Sequence, residues 1–522
     1  METVLERLQH EISLLQLDQS LLALNRLLAA SRDENSDPHL EPLLRARKSR
    51  APAFVIHFLA KQLLLHSSNL GIHQFDGRRF HQLMDLYCQL NDPICTDPAW
   101  PTADPSGFFE RMLAQQLPSQ GGINLQPYGL ALGMFRDVGC VSTSQGEYDI
   151  RHDIEAELGM SIEEFMQMGI LCMSAQMCTN NGYSHRGTFD HIYFALANLQ
   201  GLGFSRPELW APFLCRVARD RDGFRQAYRA NPRYQAREVQ YAQFEFNPLL
   251  RYPVSDLGQG RHLAVDPQLL PERTTLGLFY DLFERDGTDF SARFGYVFDR
   301  FIGNLLGSVL PDSSLWWESD PNRMKAKNEG KVADWVYRGG THTILFECKS
   351  LRPSLELVTY GSDASTADTR RRIVEALVQL IRHNDSIQSG KWTSPILTPR
   401  PVVGVVVTYG RIYGANGPFM RPRIAQDLAA KNLTPIPYIV LSVEELDHVI
   451  RLVELGHQLD TVLHNFATGE PSFDLIQRYA SSFMDQQGPR MSAFSFQRGQ
   501  QFMDGLTTCR APQTHSDGGY AA

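Results

Sequence analysis

The sequence predicts an α/β protein: a sheet core in the C-terminal half, flanked by helices, behind a large mainly α-helical N-terminal domain and ahead of a helical C-terminal extension. Three observations carry this prediction. Two apolar runs, VVGVVVT (402–408) and IPYIVLS (436–442), have the length and β-branched content of buried strands. A third stretch, GKVADWVYRGGTHTILFECKS (330–350), reads as two strands joined at Gly339 and Gly340. By contrast, most of residues 1–265 repeat apolar side chains at helical spacing.

From the amino terminus, Thr3 to Ala30 has the pattern of one amphipathic helix, with Leu5, Leu8, Ile12, Leu15, Leu21, Leu24 and Leu28 as its apolar positions. The heptad ends too soon for a coiled coil, so this face is expected to pack on its own domain. SRDENSDPHLEP (31–42) breaks the pattern. Helical spacing resumes from Ala51 to Leu90 and from Gly107 to Leu117, divided by a Pro-rich stretch. Ser161 and Glu164 form a capping box for a Met-rich helix through about Cys178, and further helices follow Asp190 and Ser205. Cys172, Cys178, His185 and His191 have the order of a zinc site, but two cysteines six residues apart on one helix face different ways. Core thiols in a Met-rich packing surface account for them better.

The second half opens with SARFGYVFDRFIGNLLG (291–307), an amphipathic helix through Phe294, Val297, Phe298, Phe301, Ile302, Leu305 and Leu306, with Asp289 or Ser291 as its cap. SLWWES (314–319) is the expected first strand, and the hairpin follows. Within it Glu347 and Lys349 share one face while Phe346 and Cys348 share the other. Asp334, on the first strand, is expected to lie beside Glu347. Two carboxylates on a buried sheet repel and are penalised by desolvation unless a cation satisfies them. Carboxylate oxygens, a backbone carbonyl from Cys348 and waters suit Mg²⁺ or Mn²⁺, and Lys349 is placed to act on a metal-bound water. That is the chemistry of phosphodiester hydrolysis. Downstream, Ser365 and Asp368 mark a helix start, followed by a stripe of Ile373, Ala376, Leu377, Leu380 and Ile381. Ser442 and Glu445 form a capping box for a helix through about Glu454.

Asp334 followed by Glu347-Cys348-Lys349 resembles the D…(D/E)-x-K core of the PD-(D/E)xK nuclease superfamily, the restriction-endonuclease-like fold. The resemblance covers roughly residues 270–455 and implies a mixed sheet flanked by helices. It also implies that Asp334 and Glu347 ligate a divalent cation and that Lys349 acts on the attacking water. Gly295, Phe298 and Asp299 match a Gly-x-x-Phe-Glu-like pattern that supplies a further acidic group, here one methylene shorter. Gln379 falls where related nucleases carry a glutamine directed at the catalytic pocket. The implied activity is a metal-dependent nuclease, with DNA the favoured substrate and prokaryotic genome defence the fitting setting. A catalytically silent nuclease-like subunit that binds nucleic acid or assembles with partners is the alternative.

Composition bounds the rest. The formal net charge of −8 excludes a protein that coats nucleic acid non-specifically, so any such contact must be local. Lys325, Lys327 and Lys331, just before Asp334, and Arg370, Arg371 and Arg372 form the expected patch. Eight scattered cysteines give no disulfide framework, and no secretory leader or membrane span is apparent, so a cytoplasmic protein is expected. There is no G-x-x-x-x-G-K-[ST], H-E-x-x-H or G-x-S-x-G motif. The expected division is 1–265 for the helical domain, expected to sense, position or restrain the nuclease and to offer a site for self-association or a protein partner, then 270–455 for the nuclease-like domain, 456–509 for the extension and 510–522 for a disordered tail.

Overall fold

The computed structural model describes residues 3–32, 52–90, 106–116, 125–143, 146–180, 194–201, 204–316, 333–391, 397–472 and 490–508. Near the amino terminus the single expected helix is two. Thr3 and Glu6 form a capping box on α1 (Val4–Ser13), and the chain then breaks where Leu15 and Gln16 bridge to His73 and Ser68 before α2 (Leu17–Arg32). Their leucines pack with α3 (Ala53–His66) and α4 (Gly77–Cys88) in a cluster of their own. Helix α5 (Ser106–Gln116) follows, then a hairpin of β1 (Cys140–Thr143) and β2 (Gly146–Asp149). Helix α6 (Ile162–Asn180) opens on the Ser161–Glu164 box as expected. A small sheet of β3 (Ala218–Asp220), β4 (Val254–Asp256) and β5 (His262–Ala264) completes this half, and none of these five short strands was expected.

The helix expected over 291–307 begins earlier, as α7 (Leu278–Gly307). It is interrupted at Gly287, whose φ of 58° is left-handed and favours glycine, so neither Asp289 nor Ser291 caps it. Ser291 instead donates its hydroxyl back to the Gly287 carbonyl. The strands β6 (Leu315–Trp316), β7 (Trp335–Arg338) and β8 (Thr343–Lys349) come next. Helix α8 (Asp363–Gln388) is capped by Ser362, three residues before the expected start. After β9 (Val402–Thr408) comes α9 (Met420–Ala429), which sequence reasoning missed, then β10 (Tyr438–Ser442) and α10 (Val443–Glu454), whose capping box is the expected Ser442 and Glu445. Helices α11 (Leu459–Thr468) and α12 (Ala493–Thr508) close the described chain.

The five strands form one mixed sheet in the order β10-β9-β8-β7-β6, antiparallel from β6 to β8 and parallel from β8 to β10. Side chains divide between its faces with the two-residue period of strands. Trp335, Tyr337, Ile344, Phe346, Val403, Val405, Val407, Ile439 and Leu441 enter the core that contains α7. Val336, Leu345, Val402, Val406, Tyr438 and Val440 enter a second core with α8 and α9. Because both faces are covered, polar groups of the sheet gather at strand ends. The first of these cores runs from Tyr128 to Phe502, so the chain is not divided in its packing near residue 265. Among the described residues no helix is long and apolar enough to cross a membrane.

One contact fixes the distance between α7 and the sheet. A Cβ on Gly303 would lie 2.0 Å from the Trp335 ring, so the helix approaches β7 only because that residue has no side chain. Gly303→Ala is expected to destabilise the fold by about 1–3 kcal/mol through overpacking, read by urea denaturation with Trp335 fluorescence as the probe.

Candidate functional site

Asp334 stands just before β7, where the ladder has not yet begun. Its N–H donates to the Phe346 carbonyl at 2.9 Å, and with Trp335 paired to Phe346 it lies across from Glu347. At this point β8 lacks a β7 acceptor for the Cys348 N–H. The Asp334 carboxylate takes that place, Oδ2 accepting at 2.7 Å. From the α7 side, Asp299 is held against it because the Trp335 indole N–H donates to the Asp299 carbonyl at 3.1 Å. One oxygen each of Asp299 and Asp334 and the Cys348 sulfur lie within 4.8 Å of one another.

Glu347 and Lys349 form a second pair. Glu347 is 1 % exposed, and the Lys349 ammonium donates to its Oε1 at 2.5 Å. Its other oxygen, Oε2, is buried with no hydrogen-bond partner. Burial, then the charge of Asp334, pushes the Glu347 carboxyl well above the ordinary range, against the pull of Lys349. Burial acts to lower Lys349, but the Glu347 carboxylate prevails and holds it above its usual value. Asp334 thus sits between two groups, bonded beside Cys348 and acting electrostatically on Glu347. The expected meeting of Asp334 with Glu347 and Lys349 on one face is not what forms: Asp334 clusters with Asp299 and the Cys348 sulfur, because its carboxylate turns to the Cys348 N–H, and Glu347 and Lys349 adjoin as a separate pair.

The donor set fits a hard divalent cation. Asp334 and Asp299 both repel the Glu347 carboxylate, Lys349 alone offsets them, and the unpartnered Oε2 of Glu347 is the kind of atom a cation satisfies. The Cys348 thiol, driven far up by burial and then by Asp334, stays protonated and is too soft to add much for Mg²⁺.

Sequence reasoning missed His383. It is fully buried on α8, and its Nδ1 accepts the N–H of Ala333 at 2.9 Å, so it fixes the peptide that carries Asp334. The ring carries its proton on Nε2 in consequence. A histidine in the apolar stripe of a helix gives no sequence signal for such a bond. Gln379 is half-buried on the same helix, four residues earlier. Of the expected basic patch, Arg370 pairs with Asp427 at 2.7 Å, Arg371 with Asp368 and Glu375 at 2.6 Å, and Arg372 with Asp368 at 3.1 Å. Lys325, Lys327 and Lys331 lie outside the described residues. Cys172 is buried in α6, while His185 and His191 lie outside the described residues.

No family model, curated protein or solved structure matches this chain. Function therefore has to be argued from these groups.

Burial lowers the His383 imidazole from 6.5 to about 4, so folding favours the neutral ring. Its contribution to stability is complete above pH 6.5 and is lost as pH falls through about 4. His383→Phe should abolish that part of the acid dependence in urea titrations. At neutral pH it should cost about 1–3 kcal/mol, because the Ala333 N–H is left buried and unpaired.

Proposed function

We propose that the chain is a divalent-metal-dependent nuclease with a PD-(D/E)xK, restriction-endonuclease-like core. One observation supports this most: Asp299 and Asp334 meet beside the Glu347–Lys349 pair at the end of a hairpin in a mixed sheet covered by helices on both faces. Burying the Glu347 carboxyl near two like charges is costly without a compensating cation, and among the described residues no hydrogen bond uses its Oε2. Asp334 and Glu347 are the ligands of Mg²⁺ or Mn²⁺ in this proposal, with Asp299 and the Cys348 carbonyl beside them. When bound, the cation supplies a Lewis acid for a phosphate oxygen and a more acidic water.

The remaining work falls to the chain. The Lys349 side chain is 36 % exposed, and its ammonium is anchored by Glu347, so it offers a positioned positive charge to a phosphate that becomes more negative during attack. Cys348 N–H and the Trp335 indole orient Asp334 and Asp299, sparing the site reorganisation when substrate arrives. Phosphodiester bonds of nucleic acid, DNA in the first place, are the substrate. A role in prokaryotic genome defence in the cytoplasm rests on fold-level analogy.

The test incubates purified protein with linear and circular DNA and with RNA, in Mg²⁺, in Mn²⁺ and in EDTA. Cleavage should need the metal and fall on the order of a hundredfold or more in Glu347→Ala. Glu347→Gln should lose activity as well while unfolding at equal or higher urea, because it removes a buried carboxyl that the fold itself does not need. Equal cleavage by wild type and variants would refute the assignment. Binding without cleavage in every metal would favour the silent alternative.

A further inference from the structure

The ion pairs around the site leave one guanidinium over. Arg370, Arg371 and Arg372 all have carboxylate partners. Arg352, three residues beyond Lys349, makes no ion pair among the described residues. Its guanidinium instead lies 4.3 Å from the ring centre of Phe283, 4.8 Å from Tyr280 and 5.1 Å from Phe279. Those rings belong to the first part of α7, the helix that also carries Asp299.

Arg352 is held there by backbone. The Tyr409 N–H donates to the Lys349 carbonyl and the Gly410 N–H to the Leu351 carbonyl, which prolongs the β8–β9 pairing past the strand ends. A Cβ on Gly410 would lie 2.9 Å from the Cβ of Arg352, so the lack of a side chain at Gly410 makes room for it. The guanidinium is half-buried, and the positive charge of Arg372 reaches it from α8. Aromatic faces offset part of its lost hydration, and the Tyr280 hydroxyl accepts one of its N–H groups, but a single hydroxyl does not match the planar fork. A phosphate does. Beside it Tyr280 is 45 % exposed, a large ring left open to solvent next to a fixed cation.

We propose that Arg352 and Tyr280 form a nucleotide subsite: Arg352 holds a backbone phosphate neighbouring the one attacked near Lys349, and Tyr280 stacks the base attached to it. This rests on the nuclease proposal and narrows its substrate. A ring can stack a base only where that base is unpaired, so the strand entering the site is single-stranded or frayed at this position.

Binding without cleavage tests it. A fluorescently labelled single strand and the matching duplex are titrated with the full chain in EDTA over a series of salt concentrations, read by anisotropy. Arg352→Gln should weaken single-strand binding about tenfold and lower the slope of log affinity against log salt by about 0.7, the share of one phosphate contact. Arg352→Lys should keep that slope while losing part of the affinity, and near-ultraviolet circular dichroism checks that both variants keep the aromatic cluster. Tyr280→Ala should weaken the single strand about tenfold with its slope and duplex binding unchanged, and Tyr280→Phe should restore it. Wild-type affinity and slope in Arg352→Gln would overturn the subsite even if the protein cleaves DNA. Conversely, the expected pattern in a protein that never cleaves would retain the subsite and remove the catalytic proposal. A wild-type chain that binds neither strand form removes the subsite too.

Discussion

Repulsion among the carboxylates at the end of one hairpin is the constraint on which the neighbouring structure depends. Asp334 and Glu347 lie across from each other in the register, Asp299 approaches from the covering helix, and Lys349 alone among these groups carries the opposite charge. Left to themselves such groups would splay into water or take up protons. They are prevented by contacts that act on backbone rather than on charge. The Trp335 indole holds the Asp299 carbonyl, His383 holds the Ala333 N–H, and the Cys348 N–H holds Asp334 itself. Glu347 shows what remains unrelieved, since one of its oxygens is buried with no donor and its carboxyl is pushed far up. This unrelieved charge is what the proposed cation would satisfy.

The double-sided burial of the sheet explains why the charges sit where they do. All of β9 and β10 are buried, and β8 is buried from Thr343 to Glu347, so polar side chains in the middle of these strands would meet apolar neighbours on either face. At the end of β8, where β7 has not yet started and the chain leaves β9 at Thr408, the Lys349 ammonium reaches solvent while its partner Glu347 stays buried. The same end carries Arg352 and the aromatic rings of α7. At the opposite end the hairpin turn is closed off. Asp460 of α11 accepts from the N–H groups of Thr341 and His342, and a Cβ on Gly339 would collide with it. The architecture thus gathers the charged groups at one end of the β7–β8 pair and ties the other to the C-terminal helices.

What was legible in the sequence follows the same division. The alternating and continuous apolar runs of β7 to β10 identify strands directly, because burial on two faces leaves no other pattern. Ser442 with Glu445 and Ser161 with Glu164 announce their helices because both partners of a reciprocal cap are local. Ser365 with Asp368 has the same spacing and misled, since Ser362 caps α8 and Asp368 is drawn instead to Arg371 and Arg372. Asp334, Glu347 and Lys349 were legible as a motif, but the turn of Asp334 toward the Cys348 N–H was not. It depends on β7 starting one residue later, a boundary that local sequence does not specify. His383 and Arg352 were missed because their meaning lies in partners 50 residues away in one case and in a missing counter-ion in the other.

The N-terminal half bears on how such a site is controlled. Under the nuclease proposal, the excess of helical chain over what the sheet needs invites the idea of a detachable inhibitor domain. The packing argues against detachment. Phe135 packs tilted against Phe294 of α7, the core that contains them continues to Phe494 and Phe502 of α12, and the sheet shares it. From α5, Glu110 inserts its buried carboxylate among the N–H groups of Tyr413 and Gly414, on the segment that continues from β9, and Arg111 bonds the Tyr360 carbonyl. Removing residues 1–265 would expose the sides of α7 and α12 that pack on them and leave those donors unpaired. The helices therefore act on the site as part of its foundation, and any signal they transmit has to travel as a shift within one shared core rather than as the release of a separate body.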